Sequence, residues 1–152
     1  MNKQLAVIAA LGFCVASSVH LLTYASVDVF DLYPSAWLLH IVCFVVFLLM
    51  LGSIPTSKEN FGEMPAWSRW LIFAAMIYAG VNFGLFFHNS KQGQPDIRNG
   101  HFVLHDHGTI IRELSAEEYH VQMAYVARGF SGHWMLFFLV PALYFGFRSA
   151  RS

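Results

Sequence analysis

Four long stretches of this chain contain no lysine, arginine, aspartate or glutamate. Each has about 20 largely apolar residues, which is the length of α-helix that crosses the roughly 30 Å hydrocarbon core of a bilayer. Backbone polar groups find no water in lipid, so a segment that crosses it is expected to be helical. The sequence therefore predicts transmembrane helices at residues 5–24, 36–54, 70–88 and 129–147.

The overall composition agrees with this prediction. The chain is 57% hydrophobic and only 12% charged, whereas soluble domains average about 25% charged residues. Its formal net charge is zero, so it lacks the basic footprint that nucleic-acid binding requires. The connections are too short to hold a second domain. The predicted fold is thus an all-α integral membrane protein, with residues 1–152 forming one four-transmembrane-helix bundle.

The connection between the third and fourth stretches carries signals for additional structure. Gln92–Gly100 is rich in loop-forming residues and is interpreted as a loop. His101–Leu104 and Thr109–Leu114 flank a glycine-containing turn, which predicts a small extramembrane β-hairpin between helices three and four. Ser115 and Glu118 have the spacing of a capping box, so a helix is predicted to start between them. Its amphipathic first part either lies at the interface or continues into the fourth span.

Two features of the third stretch predict contacts between helices. Gly80 and Gly84 are four residues apart, a spacing that allows two helices to approach closely in lipid. Asn82 lies between them, and an amide without a partner is costly in hydrocarbon. We therefore expect Asn82 to face another helix.

The distribution of basic residues predicts the orientation of the chain. Cytoplasmic segments of membrane proteins are rich in lysine and arginine. With the N-terminus inside, the first outer loop has no basic residue, and the inner segments contain Lys3, Lys58, Arg69, Arg148 and Arg151. The long outer loop also has four basic residues, but they are spread over a longer stretch and balanced by acids: Lys91, Arg98, Arg112 and Arg128. We therefore expect both termini in the cytoplasm and the hairpin outside. The compact chain and short loops favour a bacterial inner membrane, which would place the hairpin in the periplasm.

Each apolar stretch carries one histidine near its predicted outer end. At 1.5 Å per residue, three of them lie about 6 Å inside that end, and the fourth lies at the interface. Imidazole is the commonest metal-ligating side chain and the usual axial ligand of haem, and helix bundles build cofactor sites from facing helices. One interpretation is therefore a site for haem b or for copper or zinc, whose candidate ligands are His20, His40, His133 and His88.

Further histidines lie in the predicted hairpin. His101, His105 and His107 alternate with other residues and are expected to point to one strand face. This adds His105 and His107 to the candidate metal ligands. The alternative interpretation is that all these histidines bind water, headgroups or backbone carbonyls at an interface. No established metal motif, such as His-Glu-x-x-His, occurs in the sequence.

Arg128 precedes the fourth stretch and also has two interpretations. It can extend toward lipid headgroups while its stem stays in the apolar layer. Alternatively it turns inward beside Gly129 and Gly132 and holds an anion, such as a cofactor propionate or the Glu117 carboxylate. The second interpretation includes Arg128 among the candidate cofactor-binding residues.

Two function classes remain. The sequence has no phosphate-binding glycine loop, no nucleophile elbow and no carboxylate within a predicted span, which disfavours catalysis and active transport. The first hypothesis is an accessory or interaction subunit of a membrane assembly, whose partners are lipid and other membrane subunits or copies of itself. The alternative is a haem- or metal-binding membrane protein that transfers electrons or handles metal through the histidine layer.

Overall fold

A computed structural model describes residues 2–54, 64–90 and 93–150 of the chain. Within them, four helices are long and apolar enough to cross a membrane, so the four predicted helices are confirmed as helices. The third begins earlier than predicted, and the last begins well before its apolar stretch. The long helices are α1 (Asn2–Tyr24), α3 (Leu38–Ser53), α4 (Ala66–Ser90) and α5 (Ala116–Ser149), and a short helix α2 (Val29–Leu32) and a 3₁₀ turn (Pro34–Trp37) precede α3.

α5 is the helix around which the others pack. Within the described residues it contacts α1 most extensively and also contacts α3 and α4, and the main backbone contact of α4 is with α5. In its most apolar 18-residue window, 44% of the residues of α5 are buried, compared with 11% for α4. The bundle is therefore a central helix with three partners, and α4 is the most exposed of them.

The segment after Ser115 was predicted either to lie at the interface or to continue into the fourth span, and it continues into the fourth apolar stretch. A single α-helix runs from Ala116 to Ser149 without interruption. The predicted capping box is present, because Ser115 Oγ accepts from Glu118 N at 3.1 Å and the Glu118 carboxylate accepts from Ser115 N at 2.8 Å. The amphipathic first part of α5 is thus a direct extension of its apolar part.

The segment before α5 forms an antiparallel sheet of three strands in chain order. The strands are β1 (Gln94–Arg98), β2 (His101–Asp106) and β3 (Thr109–Glu113). The hairpin of β2 and β3 is confirmed, but the interpretation of Gln92–Gly100 as a loop is wrong for β1. The sequence of β1 lacks apolar alternation and includes Pro95, which an edge strand tolerates because one of its sides needs no hydrogen bonds.

Both connections within the sheet are two-residue turns. Asn99 and Gly100 have φ of 53° and 81°, and His107 and Gly108 have φ of 46° and 90°. Positive φ at both central residues is the signature of the type I′ turn, whose twist matches that of paired strands. Glycine is favoured at the second position because it adopts positive φ without steric strain.

Glycines allow close helix contacts at three positions, none of which the sequence pattern identified as the contact. A Cβ atom added to Gly12 of α1 would lie closer than 3 Å to the ring of Phe138 on α5. Phe138 is fully buried, so its ring has little room to move. Gly129 and Gly132 of α5 allow a close contact with α4 in the same way, since their added Cβ atoms would collide with Phe86 and Asn82, respectively.

The predicted close approach at Gly80 and Gly84 does not occur within the chain. Both glycines are exposed on α4, and no heavy atom of the described residues lies within 4 Å of an added Cβ at either position, apart from the local backbone. Gly80 and Gly84 have the spacing of a helix contact, but the face of α4 that carries them points away from α5.

Gly12→Ala should destabilise the protein, although alanine favours a helix over glycine by about 1 kcal/mol. The added methyl group overpacks the contact with Phe138, which typically costs about 1–3 kcal/mol of unfolding free energy. Gly146→Ala is the matched control, since no described heavy atom would contact its Cβ. Chemical unfolding in detergent, followed by far-UV circular dichroism, would measure both, and equal stability of the two variants would contradict the described packing.

Candidate functional site

Polar side chains from three helices meet at the end of the bundle that carries the sheet. We define the polar cluster as His20 and Tyr24 of α1, Tyr78 of α4, and Arg128 and Ser131 of α5. His20 is 3% and Ser131 is 0% exposed, whereas Tyr24 is 57% and Tyr78 is 40% exposed. The polar cluster therefore extends from the interior of the bundle to its surface.

Helical spacing explains why these side chains meet. His20 and Tyr24 are four residues apart on α1, and Arg128 and Ser131 are three residues apart on α5, so each pair shares one helix face. Ser131 is buried where α1 packs against α5. Tyr78 reaches the same place from α4, which packs on the neighbouring side of α5.

A chain of hydrogen bonds connects the members of the polar cluster. The hydroxyls of Tyr24 and Tyr78 are 3.1 Å apart, and Tyr78 also bonds His20 Nε2. His20 Nδ1 lies 2.8 Å from Ser131 Oγ, which donates to the Arg128 carbonyl at 3.2 Å. With His20 neutral and protonated at Nδ1, each group donates to the next one inward, and every buried donor has an acceptor.

The Arg128 side chain turns toward the end of α1. Its Nη2 donates to the Thr23 carbonyl, and its Nε donates to Thr23 Oγ1 at 3.2 Å. The last carbonyls of a helix lack helical partners, and a cation at this end also interacts favourably with the helix dipole. The guanidinium carbon lies 4.2 Å from the Tyr24 ring centre and 4.8 Å from that of Tyr125. Among the described residues Arg128 forms no salt bridge with a carboxylate, Glu117 included.

Arg148 makes an equivalent contact near the C-terminal end of α5. Its Nη1 donates to the Ser53 carbonyl at 2.7 Å, at the C-terminal end of α3. The two arginines are 148 − 128 = 20 residues apart, which is about 30 Å along an α-helix. Neither cap could be predicted from the sequence, because the acceptors are backbone carbonyls from distant segments.

Asn82 joins α4 to α5 beside the polar cluster. Its Nδ2 donates to the carbonyls of Arg128 and Gly129 at 2.9 and 3.3 Å. Its side chain is buried, so the prediction that it faces another helix is confirmed. Gly132 provides the necessary space, since any larger residue would collide with the Asn82 amide.

His40 and His133 lie at the same end of the bundle but have different surroundings. His40 Nδ1 accepts from Trp134 Nε1 at 2.9 Å. His133 Nδ1 donates to the Gly129 carbonyl at 2.9 Å, and its ring packs 4.5 Å from that of Phe83 on α4. At 100° per residue, His133 projects about 160° away from Ser131, the residue that contacts His20. The histidines of the predicted layer therefore contact different partners and do not converge on one point beside α5.

The other candidate histidines lie outside the polar cluster. His88 is exposed near the end of α4. His105 Nε2 is 3.8 Å from Asp96, while its buried Nδ1 has no hydrogen-bond partner among the described residues. The expectation that His107 shares a strand face with His105 is wrong, because His107 occupies the turn, with its side chain 94% exposed and 2.7 Å from Asp106.

No three histidine, cysteine, aspartate or glutamate side chains are arranged to hold a metal ion in the part of the chain that the structure describes. This observation covers protein side chains alone. A haem, or a metal bound by fewer of these side chains, therefore stays a prediction from the sequence.

The basic residues of the sheet region are neutralised by neighbouring carboxylates. Arg98 pairs with Asp96 at 3.0 Å and lowers the pKa of that carboxyl. The backbone N–H of Ser115 lowers the pKa of Glu118, and Arg112, which pairs with Glu118 at 2.9 Å, lowers it further. Both acids are therefore charged at neutral pH, and the two arginines that pair with them carry no uncompensated charge.

Asp28 links the segment after α1 to the exposed part of α5. One carboxylate oxygen accepts from the backbone N–H groups of Phe30 and Asp31 at 3.1 Å and caps α2. The other lies 3.0 Å from His120 Nδ1. The side chain of Asp28 is buried, so this link also holds the segment between α1 and α2 against α5. Sequence reasoning did not identify it, because the partners are distant in the chain.

No known protein family, curated protein or solved structure is detectably similar to this chain. The polar cluster and the packing of α5 are therefore the features from which function is inferred.

His20→Leu should lower the free energy of unfolding by about 1–3 kcal/mol, because Ser131 and Tyr78 would lose their shared partner in a buried place. His88→Leu makes the same chemical change at an exposed position and should have little effect. Thermal and chemical unfolding in one detergent would compare the two variants. Equal losses of stability would show that the hydrogen bonds of His20 do not hold the helices together.

Proposed function

We propose that this chain is an integral membrane protein whose four long helices cross the bilayer. The exposed surfaces of α1, α3 and α4 support this proposal because they are apolar, as Leu11, Leu48 and Trp70 show with exposed fractions of 62%, 61% and 70%. Soluble monomers rarely expose apolar patches larger than a few hundred Å². In a bilayer the same surfaces contact acyl chains.

The spacing of charges on α5 supports the same placement. No lysine, arginine, aspartate or glutamate lies between Arg128 and Arg148, which are about 30 Å apart along the helix. This distance matches the thickness of the hydrocarbon core. We therefore position the two arginines at opposite interfaces, with the sheet outside a bacterial inner membrane and both ends of the chain in the cytoplasm. Lys58 and Arg151, which favour this orientation, lie outside the described residues.

Single-cysteine labelling would test this placement in a Cys14→Ser, Cys43→Ala background. We expect His107→Cys, in the turn between β2 and β3, to react with an impermeant maleimide in spheroplasts. Lys3→Cys, in the first turn of α1, should react only after lysis. The reverse labelling pattern would overturn the orientation, and extraction of the protein by alkaline carbonate would overturn membrane integration itself.

Within the membrane, we propose that the protein acts through contact, as a non-catalytic accessory or interaction subunit. The observation that carries this proposal is the arrangement of α4, whose main backbone contact among the described helices is with α5. Its opposite face presents Gly80 and Gly84, which are exposed and have no packed neighbour among the described residues. Small residues at this spacing allow another transmembrane helix to approach closely and gain dispersion and weak hydrogen-bond energy. The partner is another membrane subunit or a second copy of this chain.

Gly84→Leu should disrupt this association, because the leucine side chain would hold the partner helix away from α4. Gly52→Leu is the matched control, since Gly52 is an exposed glycine of α3 whose added Cβ would also contact no described atom. The measurement is the mass of the complex in lipid nanodiscs, together with crosslinking in native membranes. We expect the parent and Gly52→Leu to form assemblies larger than the 17.2 kDa chain, and Gly84→Leu to be mainly monomeric. A monomeric parent without crosslinked partners would overturn the proposal.

A further inference from the structure

Arg128 differs from the arginines of the sheet in its charge balance. Arg98 and Arg112 each form a salt bridge with a carboxylate. Arg128 forms none among the described residues, and its two hydrogen bonds go to uncharged oxygens of Thr23. The end of a helix supplies the equivalent of only about half a negative charge. A substantial positive charge is therefore left at this position.

The guanidinium of Arg128 lies beside two exposed aromatic rings, and one of its nitrogen atoms has no acceptor among the described residues. Arg128 uses Nε and Nη2 for Thr23, and no described residue accepts a hydrogen bond from Nη1. The flanking rings of Tyr24 and Tyr125 are 57% and 39% exposed. Both rings lie within 5 Å of the guanidinium carbon, and the hydroxyls of Tyr24 and Tyr78 are 3.1 Å apart. A fixed guanidinium with a free N–H group beside phenol hydroxyls is a suitable receptor for an oxyanion.

The depth of this receptor identifies the source of the anion. Under the membrane placement proposed above, on which this step rests, Arg128 begins the apolar stretch of α5 and lies at the outer interface. Tyrosines are enriched at this level because their rings are apolar and their hydroxyls polar. The oxyanions present at this depth are the phosphate groups of lipids, whose acyl chains can lie along the exposed apolar surfaces of α1 and α4.

We propose that Arg128, packed beside the rings of Tyr24 and Tyr125, binds the phosphate of an anionic phospholipid in the outer leaflet. The guanidinium donates through Nη1, and the exposed Tyr24 hydroxyl turns its proton from Tyr78 to a second phosphate oxygen, while Tyr78 keeps its hydrogen bond to His20. A headgroup without its own cation is preferred, because a choline or ethanolamine group would compete with Arg128 for the same phosphate. The Thr23 contacts remain in place, so the same side chain caps α1 and binds lipid.

Lipid titrations of the purified, delipidated protein would test this site. Phosphatidylglycerol, phosphatidylcholine with the same acyl chains, and inorganic phosphate are added separately in a neutral detergent. Bound lipid is counted by native mass spectrometry, and the unfolding temperature is recorded in parallel. We expect saturable binding of phosphatidylglycerol, about tenfold weaker binding of phosphatidylcholine, and no stabilisation by millimolar phosphate. Equal binding of the two lipids would overturn the proposal, and stabilisation by phosphate alone would overturn its lipid source.

Two arginine variants separate a specific site from general charge attraction. Arg128→Lys keeps a cation near the end of α1 but loses the planar fork, and it should weaken phosphatidylglycerol binding about tenfold. Arg112→Gln removes a basic residue that already has a carboxylate partner, and it should bind like the parent. If Arg128→Lys does not fold, Tyr125→Leu leaves the Thr23 contacts intact and should also weaken binding. Parent-like affinity in the folded variant would overturn the proposal.

The outcome can be separated from that of the membrane placement. A protein that shows the expected cysteine labelling but does not distinguish the two lipids overturns the lipid site and leaves the placement standing. A protein that carbonate extracts from membranes overturns both.

Discussion

Arginine caps on backbone carbonyls determine how the helices of this protein fit together. The last carbonyl groups of a helix have no partner within it, and they are costly to leave unpaired wherever water is scarce. The Thr23 carbonyl at the end of α1 accepts from Ser26 N and from Arg128, and the Ser53 carbonyl at the end of α3 accepts from Tyr144 and from Arg148. α1 and α3 end at opposite faces of the bundle, so one central helix reaches both ends with residues 20 positions apart.

The polar cluster follows from the same arrangement. Once Arg128 is bound to the end of α1, Ser131 lies one turn further along α5, opposite His20. Asn82 then meets the carbonyls of this turn from the other side. Hydrogen bonds between buried groups strengthen one another in a low dielectric and penalise any register that leaves one unpaired. The polar contacts therefore select one alignment of three helices whose apolar surfaces would allow several.

The sequence predicted the features that depend on short segments. Apolar length identified the four helices, the spacing of Ser115 and Glu118 identified the start of α5, and the turn at Gly108 identified one hairpin. Strand β1 was missed because its five residues include a proline and only one large apolar side chain, Ile97. β1 is a strand because it pairs with β2, and the residues of β1 alone do not indicate this pairing.

Features that depend on distant partners were predicted less completely. The sequence placed the histidines at one level, but it could not show that His20 bonds Ser131 and Tyr78 while His40 bonds Trp134. Glycine spacing identified Gly80 and Gly84 as possible contacts, yet the contacts of α4 within the chain use glycines on α5 instead. A spacing rule finds small residues on one helix face, but the direction of that face depends on the other helices.

The two caps also determine how the bundle can respond to its surroundings. Sliding α5 by one residue against its neighbours would shift it by about 1.5 Å and pull both guanidinium groups from their carbonyls together. The length between the caps is therefore a fixed dimension of the molecule. In a bilayer thinner than this length, the four helices would tilt as one body or deform the adjacent lipid, at a cost of a fraction of a kcal/mol per Å of mismatch.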